Sequence, residues 1–203
     1  MASEHIYKQF DSDLEAIRAK VLEMGTLVEE QTANAVKSLL NTDIKLAEAV
    51  MKRDDQINDL EVAIDEETSL LIAKRSPAAG DLRNIMMMLK IITDLERMGD
   101  EAAKIARSTT RIFEDNRMSK PRFTEIKGMA KAVQGMIKTA LNSFARLDLS
   151  DTIDILEKDK QVDDDYRSCM RQLLTFMLED PRTISMSLES MFIAKSLERI
   201  GDH

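Results

Sequence analysis

The sequence contains few of the residues that build sheets, tight turns and disulfides. Its 203 residues include six glycines, three prolines, no tryptophan and only 4% aromatic residues. A composition this poor in aromatic and turn-forming residues is typical of long helices and not of a sheet protein. The single cysteine, Cys169, excludes an intrachain disulfide and predicts a reducing compartment, the cytoplasm.

Two further absences narrow the function classes. No apolar run approaches the ~18 residues that a transmembrane helix needs, and the N-terminus lacks the basic and apolar regions of a signal peptide. The net charge of −8 and the pI near 5.0 disfavour binding to nucleic acid, because phosphate backbones require a basic surface. An acidic surface instead suits hard cations or basic protein patches.

Apolar residues recur every three or four positions along most of the chain, which predicts an all-α fold. We predict that Ser76 is the N-cap of the third helix and Pro77 its first residue, and that Asp180 and Pro181 start the last helix in the same way. The predicted helices run over about 10–40, 46–75, 77–113, 123–147, 151–179 and from 181 onward.

The chain also repeats itself. RDDQIND at 53–59 matches KDKQVDD at 158–164, and LERMGD at 95–100 returns as LERIGD at 197–202. We therefore predict two tandem homologous three-helix bundles, each of long antiparallel helices, over residues 1–117 and 118–203. The polar segment 114–121 is the predicted linker. Because only His203 follows the second LERxGD phrase, we expect that the last helix is truncated and that the natural chain is longer.

Acidic residues follow one face of the second and third helices of each repeat. Glu96 and Asp100 lie one helical turn apart, and between them Gly99 costs roughly 1 kcal/mol relative to alanine. Carboxylates held this close repel one another and recruit hard cations such as Mg, Ca, Mn or iron. The candidate ligands are Asp54, Asn58, Glu96 and Asp100 in the first repeat, and Asp159, Asp163, Glu198 and Asp202 in the second.

A second interpretation of the same residues stays open. Acidic stripes on long helices are commonly solvated faces, with Arg97 and Arg199 as partners of the acids within each helix. In that case Gly99 and Gly201 serve close helix packing alone.

At these motifs the chain resembles the PhoU family, along essentially its whole length and in the order of its six helices. The resemblance is carried by LERMGD, LERIGD, KRSPAAGDLR at 74–83, EVAIDEE at 61–67 and LEDPRTI at 178–184. It implies two three-helix bundles side by side. Some PhoU-like proteins bind multinuclear iron or another divalent cation (Mg, Mn, Ca or Zn) through an acid, three residues and an Asp. That motif is matched by Glu96/Asp100, Glu198/Asp202 and Asp159/Asp163, and it is broken at Asp54/Asn58, where the second acid is an amide.

The resemblance also implies a function. It predicts a non-enzymatic cytoplasmic protein, commonly a homodimer, that acts as a negative regulator of phosphate uptake and of the phosphate regulon. The expected partners are the ATPase of the phosphate ABC transporter and a PhoR-type sensor kinase, between which the chain is an adaptor in signal transduction.

Two alternative functions belong to other classes of protein. A carboxylate-bridged di-metal enzyme of the ferritin-like type needs Glu-x-x-His pairs on core helices. The only histidines are His5 and His203, one near each end, and neither completes such a pair. The other alternative is a helical scaffold without metal.

Overall fold

The computed structural model describes residues 2–114 and 124–203 and is built from helices, with no strand in those ranges. The six helices are α1 (Ala2–Asn41), α2 (Ile44–Arg75), α3 (Ala79–Glu114), α4 (Thr124–Arg146), α5 (Thr152–Glu179) and α6 (Ile184–Asp202), with a short 3₁₀ helix (Pro181–Thr183) before α6. None of the described helices is both long enough and apolar enough to cross a membrane. The all-α prediction and the order of the helices are confirmed.

The helices form two bundles of three. Helices α1, α2 and α3 pack on one another, as do α4, α5 and α6, and the bundles meet where α3 contacts α6 and α1 contacts α4. A single apolar core runs through both bundles and includes Val21 and Ile57 in the first and Val133 and Ile193 in the second. The repeat detected in the sequence is thus a repeat of three-helix units. The predicted boundary at 117/118 lies outside the described residues and stays a prediction.

The turn between α1 and α2 is stabilised by a helix cap. Asp43 is the N-cap of α2, and its carboxylate accepts a hydrogen bond of 3.0 Å from the backbone N–H of Leu46. The predicted linker over 114–121 cannot be compared beyond Glu114, the last residue of α3, because residues 115–123 lie outside the described part of the chain. α1 begins at Ala2, ahead of the predicted start near Phe10.

The prediction for Ser76 and Pro77 was wrong. Ser76 is the C-cap of α2: it adopts a left-handed conformation with φ of 45°, and its N–H donates to the carbonyl of Ile72. Because the chain turns there, α3 begins only at Ala79. Pro77 therefore follows a helix end, where proline prevents the preceding helix from continuing.

The corresponding prediction for the second repeat is confirmed in part. The side chain of Asp180 accepts a 3.0 Å hydrogen bond from the backbone N–H of Arg182, and Pro181 is the first residue of the 3₁₀ helix. The α-helix proper starts three residues later, at Ile184.

Candidate metal centre

The predicted ligands of the first repeat lie along the contact between α2 and α3, which we call the first acidic groove (Asp54, Asn58, Glu96 and Asp100). Asp54 reaches toward α3, because a Cβ built on Gly99 would lie 3.4 Å from its Oδ1. The charges of Asp100 on Asp54, and of Asp100, Glu61 and Asp54 on Glu96, act across the groove. The structure therefore brings these acids together, while Asn58 is exposed one turn beyond Asp54.

Gly99 is explained by this close approach. A Cβ at position 99 would lie 2.9 Å from Cδ1 and 3.3 Å from Cγ2 of Ile57, whose side chain is buried between α2 and α3. Distances that short force the neighbouring side chain to move. The glycine thus lets α2 and α3 approach closely, which also places the carboxylate of Asp54 next to α3.

The carboxylates of the first groove are electrostatically unfavourable. Burial raises the pKa of Asp54, the neighbouring Asp100 and Asp55 raise it further, and Arg107 and Lys104 offset only part of the increase. Burial also raises the pKa of Glu96, with Asp100 and Glu61 adding to the effect. Oδ1 of Asp54 is buried and accepts no hydrogen bond from the described residues. A buried acceptor without a partner is costly, so a cation in the groove would stabilise these groups.

The ligands predicted in the second repeat form the second acidic groove (Asp159, Asp163, Glu198 and Asp202), between α5 and α6. Burial raises the pKa of Asp159, and the charges of Asp202 and Asp163 add to it. The approach is looser than in the first groove, because a Cβ on Gly201 would lie 3.7 Å from Oδ1 of Asp159. Gly201 is therefore not required by a close contact.

Basic side chains neutralise part of the second groove. Nζ of Lys195 donates to the carboxylate of Glu198 and lies 5.4 Å from the ring centroid of Tyr166. Nη2 of Arg167 lies 3.6 Å from Oδ2 of Asp163. Two of the four predicted ligands thus already have cationic partners on their own helices.

Comparison with known proteins identifies the family of this chain. The sequence profile of the PhoU domain matches residues 21–109 and 126–203, one match in each repeat. The chain belongs to the PhoU family. The profile matches contain all eight predicted ligands of the two grooves.

Relatives match nearly the whole chain. The chain is 44% identical over 202 residues to the "Phosphate-specific transport system accessory protein PhoU homolog" of Pseudomonas aeruginosa, covering 99% of this chain and 83% of the relative. It is 41% identical over 200 residues to the "Phosphate-specific transport system accessory protein PhoU" of Escherichia coli, covering 98% and 82%.

Solved PhoU structures share the fold. The crystal structure of PhoU from Pseudomonas aeruginosa superposes with a TM-score of 0.91 at 44% identity, over 96% of this chain and 92% of that one. The phosphate transport system regulatory protein PhoU from Streptococcus pneumoniae superposes with a TM-score of 0.86 at 28% identity, over 95% and 90%. The predicted resemblance to PhoU and the two-bundle fold are confirmed.

The donor set of this PhoU-family chain suits a hard cation, but its side chains are not arranged around one. The grooves supply carboxylate and amide oxygens, the ligands that Mg, Ca, Mn and iron prefer. Outside residues 1–8 and 114–123, the side chains form no group of three or more His, Cys, Asp or Glu that surrounds one ion position. Metal binding by the eight predicted residues thus stays a prediction, and it requires carboxylate side chains to turn toward a shared ion.

One acidic residue that the sequence patterns did not single out lies at the contact between the bundles. Glu101 is 3% exposed; its Oε1 forms an ion pair with Nη1 of Arg199 at 2.7 Å and accepts a hydrogen bond from Nζ of Lys104 at 3.0 Å. The interpretation of Arg199 as a partner within its own helix was wrong, because it crosses to α3. Arg97 does pair within its helix, 3.4 Å from Asp94.

A signal for Glu101 exists in the sequence. It lies two residues after Gly99 and directly before Ala102 and Ala103, small residues that are suited to close helix contact. Its partner Arg199, however, lies in the other repeat. This contact forms because α3 and α6 meet between the bundles. The three-and-four spacing within one helix cannot show which helix it will meet.

Proposed function

We propose that this chain is an accessory protein of a phosphate-specific transport system and a negative regulator of phosphate uptake and of the phosphate regulon. The observation that supports it best is the match of both repeats to the PhoU domain, together with relatives of that name at 41–44% identity over nearly the whole chain. In this proposal the chain is not an enzyme. It acts in the cytoplasm by binding other proteins.

The proposed partners are the ATPase of the phosphate ABC transporter and a PhoR-type sensor kinase. An adaptor between them needs two surfaces, and the presence of two homologous bundles, which meet along α3 and α6, supports this proposal. A homodimer of the chain is part of the same proposal. The acidic character of the chain favours partners with basic patches at the grooves.

The acidic grooves are proposed to hold divalent or trivalent cations, iron or one of Mg, Mn, Ca and Zn. In the first groove Asp54, Glu96 and Asp100 would supply carboxylate oxygens, with the amide oxygen of Asn58 one turn away. A bound cation would neutralise carboxylates whose pKa values burial and mutual repulsion raise. Its proposed role is to rigidify the α2–α3 and α5–α6 contacts, and no reaction is assigned to it.

A helical scaffold without metal is the second candidate. It is favoured by one observation, that no three metal-binding side chains of the described residues surround a common point. The ferritin-like enzyme has no such support, because its Glu-x-x-His pairs are missing from the sequence.

A clean deletion of the gene tests the regulatory proposal. We expect alkaline phosphatase or its equivalent to be derepressed in phosphate-rich medium, and a plasmid copy of the chain to restore repression. A copy carrying K127E and K131E, two exposed lysines of α4, is a matched control for expression and fold. Unchanged reporter activity after the deletion would contradict the proposal.

A further inference from the structure

Exposed basic residues gather along the contact between α3 and α6, on a chain whose net charge is −8. α6 runs antiparallel to α3, since Arg111 reaches Glu189 while Arg199 reaches Glu101. The basic residues lie on exposed positions spaced by three and four along each helix. We call this surface the basic seam: Lys104, Arg107 and Arg111 of α3, with Phe192, Lys195 and Arg199 of α6.

In the ion pairs of the seam, the basic side chain is exposed to solvent and its acidic partner is more buried. In the pairs of Lys104, Arg111, Lys195 and Arg199 the basic side chain is 45–56% exposed, while the acidic partners Glu101, Glu189 and Glu198 are only 4–19% exposed. Lys104 and Arg199 share one buried oxygen of Glu101, so two cations stand over one carboxylate. The surface that a partner meets is therefore basic.

An apolar side chain stands within this basic surface. Phe192 is 58% exposed, and one turn earlier Leu188 is 44% exposed on the same face of α6. Exposed aromatic rings bordered by cations are a common composition for protein-binding surfaces, in which an apolar anchor supplies affinity and charge supplies orientation.

We propose that the basic seam is a docking surface for an acidic, amphipathic segment of a partner protein, which places an apolar side chain against Phe192 and carboxylates against the surrounding cations. The proposal identifies one surface for the protein-binding role proposed above and rests on that role. The seam borders the first acidic groove, since the charges of Lys104 and Arg107 act on Asp54, but it suits a partner of the opposite charge to one that would fit the grooves.

The flanks of the seam favour a narrow protein segment over an anionic membrane. Asp100 lies 4.0 Å from Lys104 on the α2 side, and Asp202 acts on Lys195 on the α5 side. A flat anionic bilayer that met the seam would also meet both acidic grooves, and the repulsion would oppose binding. A single helix or extended segment that follows α3 and α6 contacts the cations and avoids the grooves.

The test uses purified protein and a fluorescein-labelled amphipathic peptide, which carries a Leu and Phe stripe bordered by Glu. We expect saturable binding by fluorescence anisotropy, weakened as salt rises and roughly tenfold weaker for R107E and for F192A. The matched controls are K131E, an equal charge change on α4, and F176A, an exposed phenylalanine of α5. Both should bind within roughly twofold of the unchanged protein, because neither lies on the seam.

A charge-swapped peptide, with Lys in place of Glu, and phosphatidylglycerol vesicles complete the assay. The swapped peptide should bind poorly to the unchanged chain and gain affinity for R107E, and the vesicles should not bind. Equal loss of peptide binding in R107E and K131E, or R107E-sensitive binding of the vesicles with no peptide binding, would overturn the proposal. The binding assay does not depend on phosphate signalling in cells, so its failure leaves the deletion phenotype proposed above intact.

Discussion

The two acidic grooves come from the same repeated sequence but differ in packing and in charge. In the first, Gly99 admits Ile57 and the carboxylate of Asp54 against α3, and Oδ1 of Asp54 is buried without a partner. In the second, Gly201 leaves more space, and Lys195 neutralises Glu198. A repeated motif therefore preserves the positions of acidic residues without preserving their electrostatic state.

The difference changes the expectation for metal. The amide of Asn58 predicts weaker cation binding in the first groove, whereas the buried, unpartnered oxygen of Asp54 predicts stronger binding there. Within the described parts of the chain, each groove keeps two carboxylates without a basic partner in an ion pair: Asp54 and Glu96 in the first, Asp159 and Asp202 in the second. The other acids are paired, Asp100 with Lys104, Asp163 with Arg167 and Glu198 with Lys195. The grooves differ in burial: of the eight candidate ligands only Asp54 has a buried carboxylate oxygen without a hydrogen-bond partner, and a cation would supply that partner. We therefore expect the first groove to be the stronger cation site.

The largest expected effect concerns the contact through which the two repeats meet. Replacing Glu101 by Ala removes the buried acceptor of Arg199 and Lys104, and we expect the free energy of unfolding to fall by about 2 kcal/mol. The position that corresponds to Glu101 in the second repeat is His203, which lies 3.8 Å from Asp94.

His203→Ala is the matched control, because a looser contact should contribute less than about 0.5 kcal/mol. Urea unfolding followed by circular dichroism measures both variants. Equal destabilisation by the two substitutions would show that the repeats contribute alike to the contact between the bundles.

Alanine at the two glycines should act unequally. Gly99→Ala forces Ile57 to move, and we expect a loss of about 1 kcal/mol of stability despite the better helix propensity of alanine. Gly201→Ala meets nothing closer than 3.7 Å, so it should be neutral or stabilise the fold slightly. Thermal unfolding of the two variants compares them directly, and a stabilising Gly99→Ala would show that α2 and α3 are not closely packed there.

Acid pH provides a smaller test of the first groove. Because the pKa of Asp54 is raised in the fold, the folded chain holds this proton to higher pH than the unfolded chain. Its contribution to stability therefore falls as pH rises from about 4, the unfolded value. Without metal, Asp54→Asn should raise the free energy of unfolding at neutral pH by about 0.5 kcal/mol, and the gain should vanish below that pH.

Asp159→Asn is the comparison for that measurement. The pKa of Asp159 is also raised, by burial and then by Asp202 and Asp163. Its contribution to stability should therefore also fall as pH rises. Only Asp54 has a buried, unpartnered carboxylate oxygen, so Asp54→Asn should increase the free energy of unfolding more than Asp159→Asn does. Urea titrations at several pH values in a chelating buffer measure both. A stability that rises with pH in the unchanged chain relative to Asp54→Asn would contradict the assigned repulsion.

Local sequence signals were enough to predict the helices and the repeat. The three-and-four spacing determines which face of each helix is buried, as at Val21, Ile57 and Ile92. The cost of glycine in a helix likewise pointed to Gly99 as a close contact. Ser76 was misassigned because a Ser-Pro pair suits both the end of one helix and the start of the next, and the left-handed turn of the backbone decides between them.

Contacts between helices, within and between the repeats, could not be predicted in this way. The pairing of Glu101 with Arg199 depends on which faces of α3 and α6 meet, and the burial of Asp54 depends on how closely α2 approaches Gly99. Both follow from long-range packing. The eight candidate ligands were predicted from spacing and from the resemblance to PhoU, and their partial neutralisation became visible only with Lys104, Arg167 and Lys195 placed beside them.

Elemental analysis of the purified protein tests the central claim most directly, that acidic pairs repeated in sequence form cation sites of unequal strength. The samples are the unchanged chain, E96A/D100A and E198A/D202A, prepared without a metal-affinity tag or chelator and matched for helicity by circular dichroism. We predict bound metal in the unchanged chain, a large loss in E96A/D100A and a smaller loss in E198A/D202A, with the fold retained in all three. Equal, near-zero metal in every sample would contradict the account and leave the grooves as solvated acidic surfaces.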